Sequence, residues 1–124
     1  MEKKELKYYI KNYRKVERAI ATGEEEIIVG RNRSPRRKEL PEWTKKLKEY
    51  IHEVMEKERD EVVKKVIEES IIFGKRDREV MMKLPISEGN YYHIKEKIVE
   101  KVYELYIYDG YLKREEILSE GITE

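Results

Sequence analysis

Several residue types and patterns are missing from this chain of 124 residues. It has no cysteine, which excludes disulfide bonds and zinc sites built on thiolates. No apolar run approaches the length of a membrane span or a signal peptide, so we expect a cytoplasmic protein. Only three prolines are present, so long helices can form with few interruptions.

The chain also lacks the usual signs of a catalytic site. Its 27 acidic and 28 basic residues alternate at helical spacings, which is typical of solvated helix faces. It has no phosphate-binding glycine loop, since Gly89 is isolated, and no Ser–His–Asp pattern. His52 lies near Glu53 and Glu56 on a charged helical face, which is only a weak metal constellation. We therefore predict no enzyme activity, no metal site and no cofactor.

The residues that are present favour an all-α fold. Charged residues make up 44% of the chain and hydrophobic ones 39%, and the apolar residues recur at helical spacing. The net charge of +1 conceals basic regions: residues 1–18 hold seven Lys or Arg against three Glu, and residues 31–38 hold five basic residues and no acid. A protein that is neutral overall can bind nucleic acid if its positive charge is concentrated.

Residues 1–38 are predicted to form a long N-terminal helix and a basic loop. Apolar residues at alternating steps of three and four mark one face of the helix: Leu6, Tyr9, Tyr13, Val16 and Ile20. This stripe covers about two heptads, so packing within the chain and formation of a homodimer both stay open. Residues 24–38 are predicted as a loop with room for a short strand at Ile27–Val29. Its arginines either face solvent or contact DNA phosphates: Arg31, Arg33, Arg36 and Arg37.

Residues 39–124 are predicted to form a helical domain. One helix begins near Pro41, and another covers residues 58–73 and ends at Gly74. Whether a bend near Arg59 separates these two helices stays open. A final long helix extends to about Tyr108, and residues 111–124 are predicted as a short helix and a tail.

A helix-turn-helix is predicted at about residues 76–102. A short helix, a break at Leu84-Pro85-Ile86 and a second helix capped by Ser87 follow one another there. The apolar residues of the two helices are spaced to pack together: Val80, Met81, Leu84, Tyr91, Ile94 and Ile98. Such a unit presents the start of its second helix to the major groove of DNA. An ordinary helical hairpin within a bundle is the alternative.

The second helix would carry the DNA contacts on its outer face. Asn can hydrogen-bond adenine, Glu can accept from cytosine, and Tyr or His can contact a thymine methyl group or a phosphate. Gly89 permits a phosphate or base edge to approach the backbone closely. The predicted base-contacting set is therefore Glu88, Gly89, Asn90, Tyr92 and His93. The predicted phosphate contacts in this region are Lys75, Arg76, Ser87, Lys95 and Lys97.

Residues 79–102 resemble the helix-turn-helix of region 4 in the sigma-70 family. The resemblance rests on Val80, the sequence Ile86-Ser87-Glu88-Gly89, Ile94 and Lys97. It implies base contacts at the first, second, fifth and sixth helical positions after the cap, which are Glu88, Gly89, Tyr92 and His93. Met81 departs from the pattern, because the family usually has Gly or Ala there.

The segments ISEGNYYHIKEKIVEKV and ELKYYIKNYRKVERAI are similar to those of phage late transcriptional regulators of the RinA and ArpU type. This resemblance implies a phage or prophage protein that activates late genes in a bacterial host cell. Its partners would be double-stranded DNA and RNA polymerase. Two alternatives stay open: an adaptor that binds RNA polymerase or a sigma factor, and a viral DNA-binding or packaging protein without sequence preference.

Overall fold

Helices form most of residues 1–30 and 35–110, and a β-hairpin interrupts them. The computed structural model describes residues 1–30 and 35–110 of the chain. The helices are α1 (Lys3–Lys11), α2 (Tyr13–Ala21), α3 (Leu47–Lys57), α4 (Glu61–Val66), α5 (Asp77–Lys83) and α6 (Glu88–Tyr108); a 3-10 turn (Glu42–Lys46) precedes α3 and a π-helical segment (Ile67–Ile72) follows α4. The strands are β1 (Glu26–Val29) and β2 (Arg36–Glu39). Among the described residues, no helix has both the length and the apolar character needed to cross a membrane.

The N-terminal segment forms two helices of nine residues in place of the predicted single long helix. They meet at Asn12, whose backbone leaves the helical region and whose side-chain amide donates to the Tyr8 carbonyl at 3.0 Å. Asparagine competes with helical hydrogen bonding in this way. The predicted apolar stripe nevertheless faces inward, because Leu6, Tyr9 and Val16 are buried. The stripe therefore packs within the chain.

The hairpin corrects the prediction of a loop over residues 24–38. β1 and β2 are antiparallel, with Ile27 opposite Lys38 and Val29 opposite Arg36. Ile27 and Val29 are buried beside α2, whereas every residue of β2 is exposed. A short strand at Ile27–Val29 is thus confirmed. Its partner was missed because Arg36–Glu39 has no apolar alternation.

The middle of the chain follows the predicted helices with one clear break. The first turn after Pro41 is 3-10, and the Thr44 hydroxyl donates to the Pro41 carbonyl at 2.6 Å. Residues 58–60 separate α3 from α4, and the Asp60 carboxylate accepts from the Val62 backbone N–H at 2.9 Å. Gly74, with φ of +65°, lies just after the π-helical segment. The bend that the sequence left open is therefore a true boundary with its own helix cap.

The core is organised around α6. Its buried side chains are Tyr91, Ile98, Val99, Val102, Tyr103 and Tyr106, and α1, α3 and α4 pack against this helix. Aromatic rings run edge to face through the core from Tyr9 to Trp43 and on to Tyr106, with centroids 5.3 and 5.5 Å apart. The Tyr106 hydroxyl donates to the Trp43 carbonyl at 2.7 Å. Tyr106 thereby buries its ring while satisfying its polar group.

Candidate functional site

The connection from α5 to α6 is a short turn with a capped exit. α5 ends at Lys83, since Leu84 precedes Pro85 and adopts an extended backbone conformation. Ser87 is also extended, and its hydroxyl oxygen accepts from the Asn90 backbone N–H at 3.2 Å. The predicted cap at Ser87 is therefore confirmed. Because this bond occupies a free N–H of the first turn, the start of α6 is well defined.

One buried tyrosine ties this start to the rest of the protein. Tyr91 is fully buried, and its hydroxyl donates to Asp77 Oδ1 at 2.7 Å. Lys95 Nζ donates to the same oxygen at 2.7 Å. Asp77 thus joins the beginning of α5 to the first two turns of α6. Val80 is also fully buried, and Met81 is partly buried against the core.

The ionisation of Asp77 and Tyr91 reflects these contacts. Burial acts to raise the pKa of Asp77, but hydrogen bonds from Lys95 and Tyr91 and the charges of Lys95 and Lys11 outweigh it, so this pKa lies below its usual value. Burial, followed by the bond to Asp77, raises the pKa of the Tyr91 hydroxyl. At neutral pH Asp77 is therefore a carboxylate, and it accepts hydrogen bonds from the Lys95 side chain and the Tyr91 hydroxyl.

The predicted base-contacting set lies on the outside of the helix. Glu88, Gly89, Asn90 and His93 are exposed, and Tyr92 is 43% exposed. An added Cβ at Gly89 would meet no atom within 4 Å. The structure brings these five residues together on the first two turns of α6, above the buried Tyr91. A partner could reach them without rearranging the core.

The predicted phosphate-contacting residues differ in whether they already have a partner within the protein. Lys75 and Lys95 are paired with Glu69 at 2.5 Å and with Asp77 at 2.7 Å. Lys97 lies 3.9 Å from Glu100 on an exposed surface, and Ser87 uses its hydroxyl oxygen as the cap. Arg76 is exposed and, within residues 1–30 and 35–110, forms no ion pair.

The basic run of residues 31–38 is only partly described. Arg36 and Arg37 lie on the exposed strand β2, where Arg37 Nη1 is 3.7 Å from Glu26 Oε2. Arg31 and Arg33 lie outside the described residues. The predicted DNA contact by this run therefore stays a prediction.

Sequence reasoning missed a cleft between α1 and α6. It has a volume of about 420 Å³, and Tyr92 lines it. Five cationic side chains line it as well: Lys7, Lys11, Lys75, Arg76 and Lys95. The signal was present in the sequence, because Lys7, Lys11 and Arg14 recur at steps of four and three. The prediction did not place this basic face beside the second half of the chain. The cleft and its five cations are called the basic cleft below.

Comparison of the chain with protein-family models, curated proteins and solved structures finds no match in any of the three. The resemblances described above therefore rest on the quoted residues alone. In the described part of the chain, three or more His, Cys, Asp or Glu side chains do not come together in a group that could hold a metal ion. His52 is partly buried on α3.

Proposed function

We propose that this protein is a sequence-specific regulator of transcription that binds double-stranded DNA through α5 and α6. In this proposal the pair is a helix-turn-helix, and the first two turns of α6 enter the major groove. The observation that carries the proposal is the exposed, polar start of α6, where Asn90 and His93 face outward above the buried Tyr91. This combination is suited to recognition, because the side chains of Asn90 and His93 are exposed while the buried Tyr91 holds the backbone that carries them.

Two further points support a regulator of the phage late-gene type. The residues from Val80 to Lys97 resemble region 4 of the sigma-70 family, and the Tyr91-Tyr92 pair is similar to that of the RinA and ArpU proteins. In the proposed arrangement one tyrosine of this pair anchors α6 and the other is available for DNA. Activation of late genes together with host RNA polymerase is the role that this resemblance implies.

Selection of bound fragments from a random pool of duplex DNA is the direct test. We expect an enriched motif, which would be palindromic if a dimer binds. The specific site should bind at least about 10³-fold more tightly than bulk DNA. Replacing His93 or Asn90 with alanine should cost about 1–3 kcal/mol on the selected site and leave binding to random DNA unchanged. Glu104→Ala, on an exposed position of the same helix, is the matched control.

The outcomes separate this proposal from its alternatives. Equal weakening of selected and random DNA by His93→Ala would contradict base recognition by that residue. Binding without any enriched motif would point to a packaging-type protein that contacts the backbone only. An adaptor for RNA polymerase or a sigma factor would bind no duplex, and its affinity for its protein partner would depend weakly on salt. Met82, which is 82% exposed on α5, gives that last alternative an apolar contact point.

A further inference from the structure

The basic cleft lies directly beside the predicted base-contacting set. Tyr92 belongs to both, since it is exposed on α6 and also lines the cleft. The floor is apolar, formed by Ile10, Ile71 and Val99. Only Asp77 and Glu96 contribute carboxylates to the lining in the described part of the chain. The cleft is therefore a positively charged channel next to the surface proposed to meet DNA.

Some of its cations are already neutralised within the protein. Lys7 pairs with Glu96, and Lys95 with Asp77. Lys11 and Arg76 are exposed, and neither forms an ion pair within residues 1–30 and 35–110. Lys11 is close enough to Asp77 for its charge to lower the pKa of that carboxyl group. Two cations from distant parts of the chain thus face the same cleft without a carboxylate of their own.

A third cation is held at the edge of the cleft by the backbone. Arg14 Nη1 donates to the Phe73 carbonyl at 3.1 Å. Its side chain packs on Gly74, where an added Cβ would lie 2.6 Å from Arg14 Cδ. That bond uses one of the five N–H donors of the guanidinium. A positioned cation with remaining donors is well suited to an anionic ligand.

We propose that the phosphodiester backbone of one DNA strand lies across the basic cleft, bound by Lys11 and Arg76 with Arg14 beside them. This inference rests on the proposed DNA-binding function and deepens it, because it makes α1 part of the DNA-binding surface. A duplex that meets Tyr92 would bring its phosphates over the cleft. Phosphate contacts of this kind contribute affinity and orientation but no sequence information. The isolated residues 76–102 would lack half of the surface.

The test uses the full chain and a duplex of arbitrary sequence, for which base recognition is not needed. Affinity is measured as a function of salt for Lys11→Gln, Arg76→Gln and the double variant. We expect each substitution to weaken binding and to reduce the slope of log affinity against log salt by about one, and the double variant by about two. Glu96→Gln should act in the opposite direction, because it releases Lys7 for a phosphate.

Arg59→Gln is the matched control, and Lys57→Gln, whose ammonium lies 2.9 Å from Glu53 Oε1, is a second control for loss of charge. Both side chains are exposed near the α3–α4 boundary and do not line the cleft. They remove the same charge and should leave the slope unchanged. Thermal unfolding of every variant shows whether folding is intact, and Glu96→Gln keeps the test decisive if a cation variant fails to fold.

The results distinguish this inference from the proposed function. If wild-type protein selects a DNA motif but the cleft variants keep the wild-type salt slope, the proposal of phosphate binding in the basic cleft is overturned. The proposal of a sequence-specific regulator then stands. If the cleft variants have a smaller salt slope but no motif is enriched, the proposal of phosphate binding in the basic cleft stands. The proposal of sequence-specific regulation then fails. If the wild type binds no duplex at low salt, both are overturned.

Discussion

The two halves of α6 differ sharply although they belong to one helix. In residues 88–97 only Tyr91 is buried, and the outer face is polar. From Ile98 to Tyr106, five side chains are buried among the other helices: Ile98, Val99, Val102, Tyr103 and Tyr106. The second half therefore supplies most of the buried side chains of α6, while the first half is held by Tyr91, the Ser87 cap and the ion pairs of Lys95 with Asp77 and Glu96 with Lys7. Because stability and proposed recognition lie in separate parts of the helix, substitutions can test each part independently.

Ile98→Ala is expected to have the largest effect. The side chain is 1% exposed, and removing it leaves a cavity, so the free energy of unfolding should fall by about 2–5 kcal/mol. His93→Ala, less than two turns earlier, should change it by no more than about 0.5 kcal/mol because His93 is exposed. Urea denaturation of both variants measures the difference. Similar losses for the two would contradict the division of α6 into a buried and an exposed half.

Gly89→Ala is expected to move stability and binding in opposite directions. Glycine costs roughly 0.5–1 kcal/mol relative to alanine inside a helix, and the added methyl group meets no atom within 4 Å. The variant should therefore unfold at a higher urea concentration, by an amount at or below that range. Its affinity for the selected DNA site should fall, because the methyl group would occupy the place where the DNA is proposed to approach. Unchanged DNA affinity would show that no close approach occurs at Gly89.

Asp77→Asn is expected to give a smaller and pH-dependent loss. The pKa of Asp77 is lowered in the folded protein, so its carboxylate stabilises the fold above the unfolded pKa of about 3.9. This contribution disappears as the pH falls through the lower folded pKa. The pair with Lys95 is partly solvent-screened, so the loss at pH 7 should be roughly 0.5 kcal/mol.

The measurement is the difference in unfolding free energy between wild type and Asp77→Asn at pH 7 and near pH 3. The difference should shrink at the lower pH. A difference that is equal at both values would mean that the carboxylate does not stabilise the junction of α5 and α6.

Local features of the fold were predictable because they depend on neighbouring residues. The Ser87 cap needs only a hydroxyl three residues before Asn90, and the inward stripe from Leu6 to Val16 follows from helical spacing. The boundary between α1 and α2 at Asn12 also depends on local hydrogen bonding. It was not predicted, because the strong apolar pattern on both sides of Asn12 favoured one continuous helix. Exposure of the predicted base-contacting set agrees with the faces assigned from spacing. Their contact with DNA stays a prediction.

By itself, the sequence determined most of the faces that the helices bury and the residue that caps the final helix, since these depend on hydrogen bonds and apolar spacing within a few residues. Only the tertiary structure decided which distant charges meet. Packing of α1 on α6 places Lys11 near Asp77 and in the same cleft as Arg76. Pairing of β2 with β1 likewise depends on backbone groups that carry no side-chain signal. Such contacts arise from packing between segments far apart in the chain, and spacing along one segment does not reveal them.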